Sequence, residues 1–320
     1  MAECFLAADS GGSKTLWALI DEKGEELSRV YTHGLASLKE DDGFVAEISK
    51  EAFNKLSPLA MPKKIFMSLG GPNTEQIKRI LSLIWKTDHV EVQREARGDA
   101  ILSAAAFLNC RAVVMCGTGS VAVGEVKGKR RFAGGWGPIY GDEGSGGGIG
   151  AKALKLYLDS LDGERISKGL EELLGGFFCG LDCREFEDRM EIKKRALNMT
   201  RRELASLAPK IYQLAQSKDQ SSIALYDEAA KQIARLAANV SEDRSDFLVL
   251  LCGGFFTQKT MLLDSCKKYF SEKSRAGLLY EALFSPIVAS KLAVLKTANK
   301  SVTKALFQKI LNDERKYTNE

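Results

Sequence analysis

Two short turns, each rich in glycine and hydroxyl residues, follow hydrophobic stretches that are typical of β-strands. The first covers residues 10–15 and follows the apolar run 4–8; the second covers residues 117–120 and follows the run 111–116. Backbone N–H groups in tight turns form a nest for anions, and hydroxyl groups add donors. One such turn is common in ordinary hairpins, but two of them, with a lysine in the first, indicate a polyphosphate site. The predicted phosphate contacts are Gly11, Gly12, Ser13, Lys14, Thr15, Gly117, Thr118, Gly119 and Ser120.

Two aspartates stand where carboxylates could serve phosphoryl transfer, a reaction that depends on positioning and charge neutralisation. Asp9 ends the first strand beside the first turn. It is predicted to hold Mg²⁺, directly or through water, although an aspartate also commonly initiates a turn. Asp99 precedes an alanine-rich helix and could accept the proton of an attacking hydroxyl. N-capping of that helix is the alternative role, and the two roles are compatible.

A third segment, residues 134–150, combines nine glycines with aromatic and acidic residues in seventeen positions. It contains Trp136, Tyr140, Asp142 and Glu143, whereas flexible Gly/Ser linkers lack such residues. Glycine lets a backbone approach a ligand closely, and a helical pattern begins at the end of the segment. We therefore predict a ligand-facing turn that leads into a helix N-terminus, with an ordinary glycine-rich surface loop as the alternative. Trp136 could stack on a sugar face or pack in the interior.

The order of predicted elements occurs twice, about a hundred residues apart. In each copy a strand, a glycine- and serine-rich turn, a second strand, a hairpin and a third strand precede helices. Repetition of this unit predicts an α/β protein with two domains that face each other across a cleft. A boundary near Asn109 gives domains of residues 1–109 and 110–301. The last predicted helix, within residues 302–320, could join the first domain.

Composition and charge exclude several classes of protein. The net charge of +4 is small against 46 basic and 42 acidic residues, and no basic stripe with interleaved aromatics indicates nucleic-acid binding. No apolar run approaches the length of a membrane span. The N-terminus lacks a signal-peptide pattern, so a cytoplasmic location is expected. The seven cysteines are accordingly expected to be reduced thiols.

Charged residues outside the turns are interpreted as structural. Those of residues 185–202 are typical of a solvated helix face, and residues 175–198 form either a helical insertion or a lid. Cys179 and Cys183 have the spacing of a metal pair, but no second Cys/His pair accompanies them, so a structural role is favoured.

Four motifs carry a resemblance to a known family. They are DSGGSKT at residues 9–15, CGTGS at 116–120, GGWG at 134–137 followed by GDEGS at 141–145, and LCGG at 251–254. Together they resemble the N-acetylglucosamine kinase branch of the BadF/BadG/BcrA/BcrD ATPase family. The resemblance implies two ribonuclease-H-like, actin-like ATPase domains and phosphorylation of an amino sugar or hexose by ATP, with N-acetylglucosamine as the first candidate. It is also compatible with a homodimer.

The resemblance also implies roles for individual residues. Asp99 matches the family's catalytic aspartate, and the two turns match its phosphate loops, with ATP and Mg²⁺ as cofactors. Gly253 and Gly254 match the turn under the adenosine. The residues expected to bind the sugar are Ser37, Gly71, Asp99, Gly135, Trp136, Gly137 and Asp142.

One segment departs from the family pattern. Where similar amino-sugar kinases offer an asparagine to the sugar, this chain has GLASLK at residues 34–39, with Leu38 in place of the amide and Ser37 beside it. Two other functions stay open at this point. One is the activator ATPase of CoA dehydratases in the same family, which requires two cysteines per chain for an iron–sulfur cluster. The other is a sugar-binding regulator without catalysis.

Overall fold

Each half of the chain builds a five-stranded sheet, and the two sheets have the same strand order. The computed structural model describes residues 3–12, 14–36, 41–242, 246–256, 260–273, 279–281 and 286–318. Two predicted site residues, Ser13 and Ser37, lie outside these described residues.

The first half contains five strands and three α-helices among its described residues. Along the chain they are β1 (Cys4–Ser10), β2 (Lys14–Asp21), β3 (Glu26–His33), α1 (Asp42–Leu56), β4 (Lys64–Leu69), α2 (Thr74–Trp85), β5 (Val90–Arg94) and α3 (Asp99–Ala105). The sheet has the order β3-β2-β1-β4-β5, in which β1, β2 and β3 are antiparallel neighbours and β4 and β5 continue the sheet parallel to β1.

The second half repeats this sheet and adds helices between its third and fourth strands. Its strands are β6 (Cys110–Cys116), β7 (Ser120–Val126), β8 (Lys129–Gly134), β9 (Leu248–Cys252) and β10 (Leu279–Glu281), in the order β8-β7-β6-β9-β10. Its helices are α4 (Gly146–Leu161), α5 (Lys168–Gly175), α6 (Phe186–Asn198), α7 (Arg201–Gln216), α8 (Gln220–Asn239) and α9 (Thr260–Lys273). The strand directions match those of the first half, which confirms the predicted α/β class and its internal repeat.

Both faces of the central strands are buried, because helices of the same half cover one face of each sheet and further helices pack between the two sheets on the other face. In β1, Leu6 and Ala8 join the core under α1 and α2, while Phe5 and Ala7 join a core shared by the two halves. Side chains alternate between the faces of a strand, so a run that is apolar throughout is typical of a strand covered on both sides.

Two helices at the end of the described chain return to the first half. They are α10 (Pro286–Thr297) and α11 (Lys304–Thr318), and α10 packs against β1, β4 and α3. The predicted second domain, residues 110–301, includes α10, whereas its packing associates it with the first half. We therefore propose that the boundary of the second domain lies before residue 286. The charged segment 175–198 contains α6, whose residue Ile192 is buried in the core of the second half.

A buried ion-pair network attaches the last two helices to β3. Lys291 of α10 lies 2.6 Å from Glu26 and 2.9 Å from Glu314 of α11, and Arg29 of β3 also lies 2.9 Å from Glu314. Lys291 and Glu314 are almost fully buried. Burial alone would raise the pKa of Glu314, but Lys291 and Arg29 outweigh it and lower that pKa. Among the described residues, no helix combines the length and the apolar character needed to cross a membrane.

Candidate functional site

The glycine-rich turns of the two halves occupy equivalent places. Each lies at the tip of the hairpin that the central strand forms with the next strand, β1 with β2 and β6 with β7. In the first turn the N–H of Gly11 donates to the carbonyl of Lys14 (3.0 Å), and in the second the N–H of Gly117 donates to Gly119 (2.9 Å). Gly253, which follows β9, approaches the carbonyl of Cys116 so closely that a side chain there would overlap it. The second turn and the predicted adenosine turn therefore lie side by side.

Two carboxylates converge in the first half beside its turn. Asp9 is half-buried and follows Phe5 and Ala7 on the face of β1 that lies against the second half. Burial and the nearby charge of Glu95 raise the pKa of Asp9, and Lys14 acts in the opposite direction. Burial also raises the pKa of Glu95. Crowded carboxylates of this kind suit a hard cation, which prefers oxygen ligands, so the donor set fits Mg²⁺.

Glu95 was not predicted as a site residue. It lies in a short 3₁₀ turn after β5, and one of its carboxylate oxygens lies 3.3 Å from the place a Cβ on Gly70 would occupy. Burial raises the pKa of the Cys252 thiol at the end of β9, and the charges of Glu95 and Asp9 add to the effect. The carboxylates of the first half therefore face the strand ends of the second. The sequence around Glu95 contains no motif that would predict this position, because an isolated glutamate in a loop is common.

Asp99 is the first residue of α3, and Gly98 occupies the N-cap position, so the structure does not support the capping role. Its carboxylate accepts hydrogen bonds from Arg97 (2.9 Å) and from Arg130 (3.1 Å), which belongs to β8 of the second half. Each carboxylate oxygen keeps a further lone pair for a sugar hydroxyl. The Asp99 side chain is 35% exposed.

A narrow crevice between the halves connects Glu95 with Asp99. Ser68, Glu95 and Asp99 line it from the first half, and Met115 lines it from the second. Gly98 has a φ of +71°, and a Cβ at this position would overlap the side chain of Val123 in β7. The loop that carries Glu95 and Asp99 therefore packs directly on the second sheet.

Asp142 supports the second turn. It is 4% exposed and has a φ of +61°. One of its carboxylate oxygens accepts a hydrogen bond from the N–H of Ser120 (3.1 Å), and the other is paired with Arg201. Ser145 caps α4 and also donates to the carbonyl of Thr118 (2.9 Å). The GDEGS motif therefore holds the second turn in place, a role that its sequence did not reveal.

The predicted sugar-binding residues lie in separate places. Gly71 packs against the backbone of Ala36 after β3, and Asp99 lies in the crevice. Gly135 and Gly137 have positive φ, and they flank Trp136, which is 77% exposed, so packing does not explain the tryptophan. The ring lines a groove whose lining residues, among those the structure describes, all belong to the second half: Arg131, Phe132, Ala133, Gly134, Trp136, Tyr140, Glu143, Arg235, Leu236 and Asn239.

Two arginines at the start of α7 are functional candidates that the sequence analysis missed. Arg201 lies against Gly119 of the second turn, and Arg202 lies 3.3 Å from His33 of the first half. Both had been assigned to a solvated helix face. Thr200 and Glu203 form a capping box, which is visible in the sequence and would have placed the arginines in the first turn of a helix.

The paired five-stranded sheets give the chain the fold that two-domain, actin-like ATPases and sugar kinases share. The model of the BadF/BadG/BcrA/BcrD ATPase family matches residues 8–281. The chain belongs to this family, as its motifs predicted.

Relatives with assigned names are similar over much of the chain. N-acetyl-D-glucosamine kinase from Dictyostelium discoideum is 25% identical over 92% of this chain and 98% of its own length. N-acetylmuramic acid/N-acetylglucosamine kinase from Clostridium acetobutylicum is 31% identical over 50% of this chain and 52% of its own. The crystal structure of a proposed N-acetylglucosamine kinase from Chromobacterium violaceum has the same fold, with a TM-score of 0.71 and 23% identity over 92% of this chain and 99% of that one.

Proposed function

We propose that this protein is an ATP-dependent sugar kinase whose substrate is N-acetylglucosamine or a closely related amino sugar. The observation that carries the proposal is the pairing of two phosphate-type turns with Asp9, Glu95 and Asp99 at facing strand ends. The names of the Dictyostelium and Clostridium relatives support the class of substrate. The alternatives of an activator ATPase and a sugar-binding regulator have no comparable support.

The nucleotide is assigned mainly to the second half. Gly253 and Gly254 would lie beneath the adenosine, and the N–H groups of residues 117–120 would bind phosphate oxygens. The first turn would bind the terminal phosphates from the opposite side of the cleft, with Asp9 and Glu95 as ligands of Mg²⁺. When bound, Mg²⁺ neutralises charge on the phosphates and on the developing leaving group.

Asp99 is assigned as the general base. A sugar hydroxyl would donate to its carboxylate, transfer its proton there and attack the γ-phosphorus. The new bond joins the sugar oxygen to phosphorus, while the bond from phosphorus to the bridging oxygen breaks and leaves its electron pair on ADP. Arg97 and Arg130 hold the carboxylate in the crevice, so the base is oriented before the sugar arrives.

Binding of the sugar is proposed to involve closure of the two halves. Gly71 and Asp99 belong to the first half, whereas Trp136 projects from the second into open solvent. An approach of the halves would bring these groups to one substrate and exclude water that could otherwise accept the phosphoryl group. Hydrogen exchange would test this: residues 9–15 and 117–120 should gain protection when ADP and sugar are added together, and equal protection in both states would contradict closure.

A coupled assay of ADP release tests the function. Purified protein with MgATP would be given N-acetylglucosamine, glucosamine, N-acetylmannosamine, N-acetylmuramic acid or glucose in turn. We expect stimulation by at least one amino sugar, with N-acetylglucosamine the strongest. Stimulation by none of them would refute the kinase assignment. The resemblance is also compatible with a homodimer, which light scattering would test.

A further inference from the structure

The start of α7 contacts the second glycine-rich turn and a residue that adjoins the first. On one side, the guanidinium of Arg201 lies directly over Gly119, the middle glycine of the second turn, so that a Cβ there would overlap it. On the other side, Arg202 reaches His33 at the end of β3 (3.3 Å). His33 pairs with Lys14, and its carbonyl accepts a hydrogen bond from Thr15 (2.9 Å), so it adjoins the first turn.

Arg201 is positioned by a buried acid and still faces solvent. Asp142, at 4% exposure, pairs with one end of the guanidinium while its other oxygen holds the N–H of Ser120. The Arg201 side chain is 42% exposed. Among the described residues, Asp142 is its hydrogen-bond partner, which leaves most of its five N–H donors for an anion. A planar guanidinium held in this way suits phosphate oxygens.

We propose that Arg201 is a phosphate-binding residue of the transfer site, held in place by Asp142, and that Arg202 positions α7 across the cleft. The inference rests on the proposed function and adds a residue to it. As the bond between the γ-phosphorus and the bridging oxygen breaks, negative charge accumulates on the β-phosphate of ADP. Arg201 donates hydrogen bonds to that charge, and the sugar proton goes to Asp99 as before.

The test compares Arg201→Gln with wild type in two measurements. In the kinase assay, kcat is expected to fall by about 10²–10³-fold, the usual loss for one preorganised donor to developing charge, with little change in the sugar KM. In calorimetry without sugar, the affinity for ADP should fall, while the affinity for adenosine, which lacks phosphates, should stay the same. Arg201→Lys keeps the positive charge but lacks the planar guanidinium. Its kcat and its affinity for ADP should lie between those of wild type and Arg201→Gln.

Three comparisons make the test decisive. Arg195→Gln removes an exposed arginine of α6 that pairs with Glu191, and it should change neither measurement. Arg202→Gln should lower kcat less than Arg201→Gln. Melting temperatures identify unfolding of the glutamine variant, in which case Arg201→Lys supplies the result.

The outcomes separate this inference from the kinase assignment. If Arg201→Gln and Arg201→Lys keep wild-type kcat and ADP affinity, Arg201 is only a partner of Asp142 and the inference is overturned. If the wild-type chain binds ADP but phosphorylates no sugar, a selective loss of ADP affinity in Arg201→Gln still supports it. A wild-type chain that binds no ADP overturns both.

Discussion

The strand ends of the first half carry carboxylates, whereas the equivalent strand ends of the second half carry backbone donors and arginines. Asp9 is the second-to-last residue of β1, and Glu95 and Asp99 follow β5. At the same edge of the second sheet, residues 117–120 form the turn after β6, and Arg201 covers it. The same fold thus supplies two chemistries. The shared strand order fixes where these groups meet, and the side chains placed there would decide whether an edge binds a metal, a proton or a phosphate.

The largest expected effect comes from removing the base from the acidic half. Asp99→Asn keeps the shape of the side chain but cannot accept a proton, so kcat should fall by about 10²–10⁴-fold. The KM values for ATP and sugar and the melting temperature should change little. Steady-state kinetics would check this, with the exposed Asp88→Asn as a control. Wild-type turnover in Asp99→Asn would assign the base to another residue.

A second experiment tests what holds the acidic half together. Lys291→Met would leave Glu26 and Glu314 buried with only Arg29 between them, so the free energy of unfolding should fall by about 3–5 kcal/mol. Urea denaturation measures it. Lys55→Met removes an exposed pair with Glu51 and should cost less than about 0.5 kcal/mol. Equal losses in the two variants would show that the buried network is unimportant.

Two substitutions in the first half test whether Asp9 and Glu95 bind Mg²⁺. Asp9→Asn should lower kcat by about 100-fold and raise the Mg²⁺ concentration needed for half-maximal activity, because a ligand is lost. Glu95→Gln should act in the same direction more weakly. A Mg²⁺ titration at fixed ATP would measure both. If neither variant shifts the Mg²⁺ dependence, the two carboxylates do not serve as metal ligands.

Acid should remove the stability that ionised Glu314 contributes to the buried ion-pair network. Lys291 and Arg29 lower the pKa of Glu314 in the folded protein below its ordinary value of 4.5, so the folded state gains stability from the ionised form. That gain is complete above about pH 4.5 and is lost as the pH falls through the lower, folded-state pKa. Unfolding free energies of wild type and Glu314→Gln should therefore converge below pH 4.5. A difference that grows in acid would have the wrong sign.

The smallest expected effect is on the open groove of the second half. If closure brings Trp136 to the sugar, Trp136→Ala should raise the sugar KM by roughly 2–10-fold, the value of one aromatic contact, and leave the KM for ATP unchanged. Leu197→Ala, at a similarly exposed position on α6, is the control. An unchanged sugar KM would place the sugar away from this groove.

The repeated sheets were predictable because the central strands β1 and β6 are largely apolar on both faces and each leads into a hairpin with a glycine-rich tip. The packing of α10 against the first half was not predictable. The helix is buried on almost all sides, so its sequence does not define a single apolar face. Arg201 resembled any surface arginine, since its neighbours Gly119 and Asp142 lie far away in the sequence. Asp142 was expected to bind the sugar, and that prediction stays untested; its left-handed backbone and its contact with Ser120 arise only in the folded chain.

The return of α10 and α11 to the first half has a consequence for how the protein is made. The first sheet is synthesised early, but two of its residues contact helices that are synthesised last. Gly24 packs against Ile310, and Glu26 pairs with Lys291. The second half, which contains its own core, can emerge and fold while the first half still lacks two helices. The half that carries the proposed base and metal ligands would therefore be finished last.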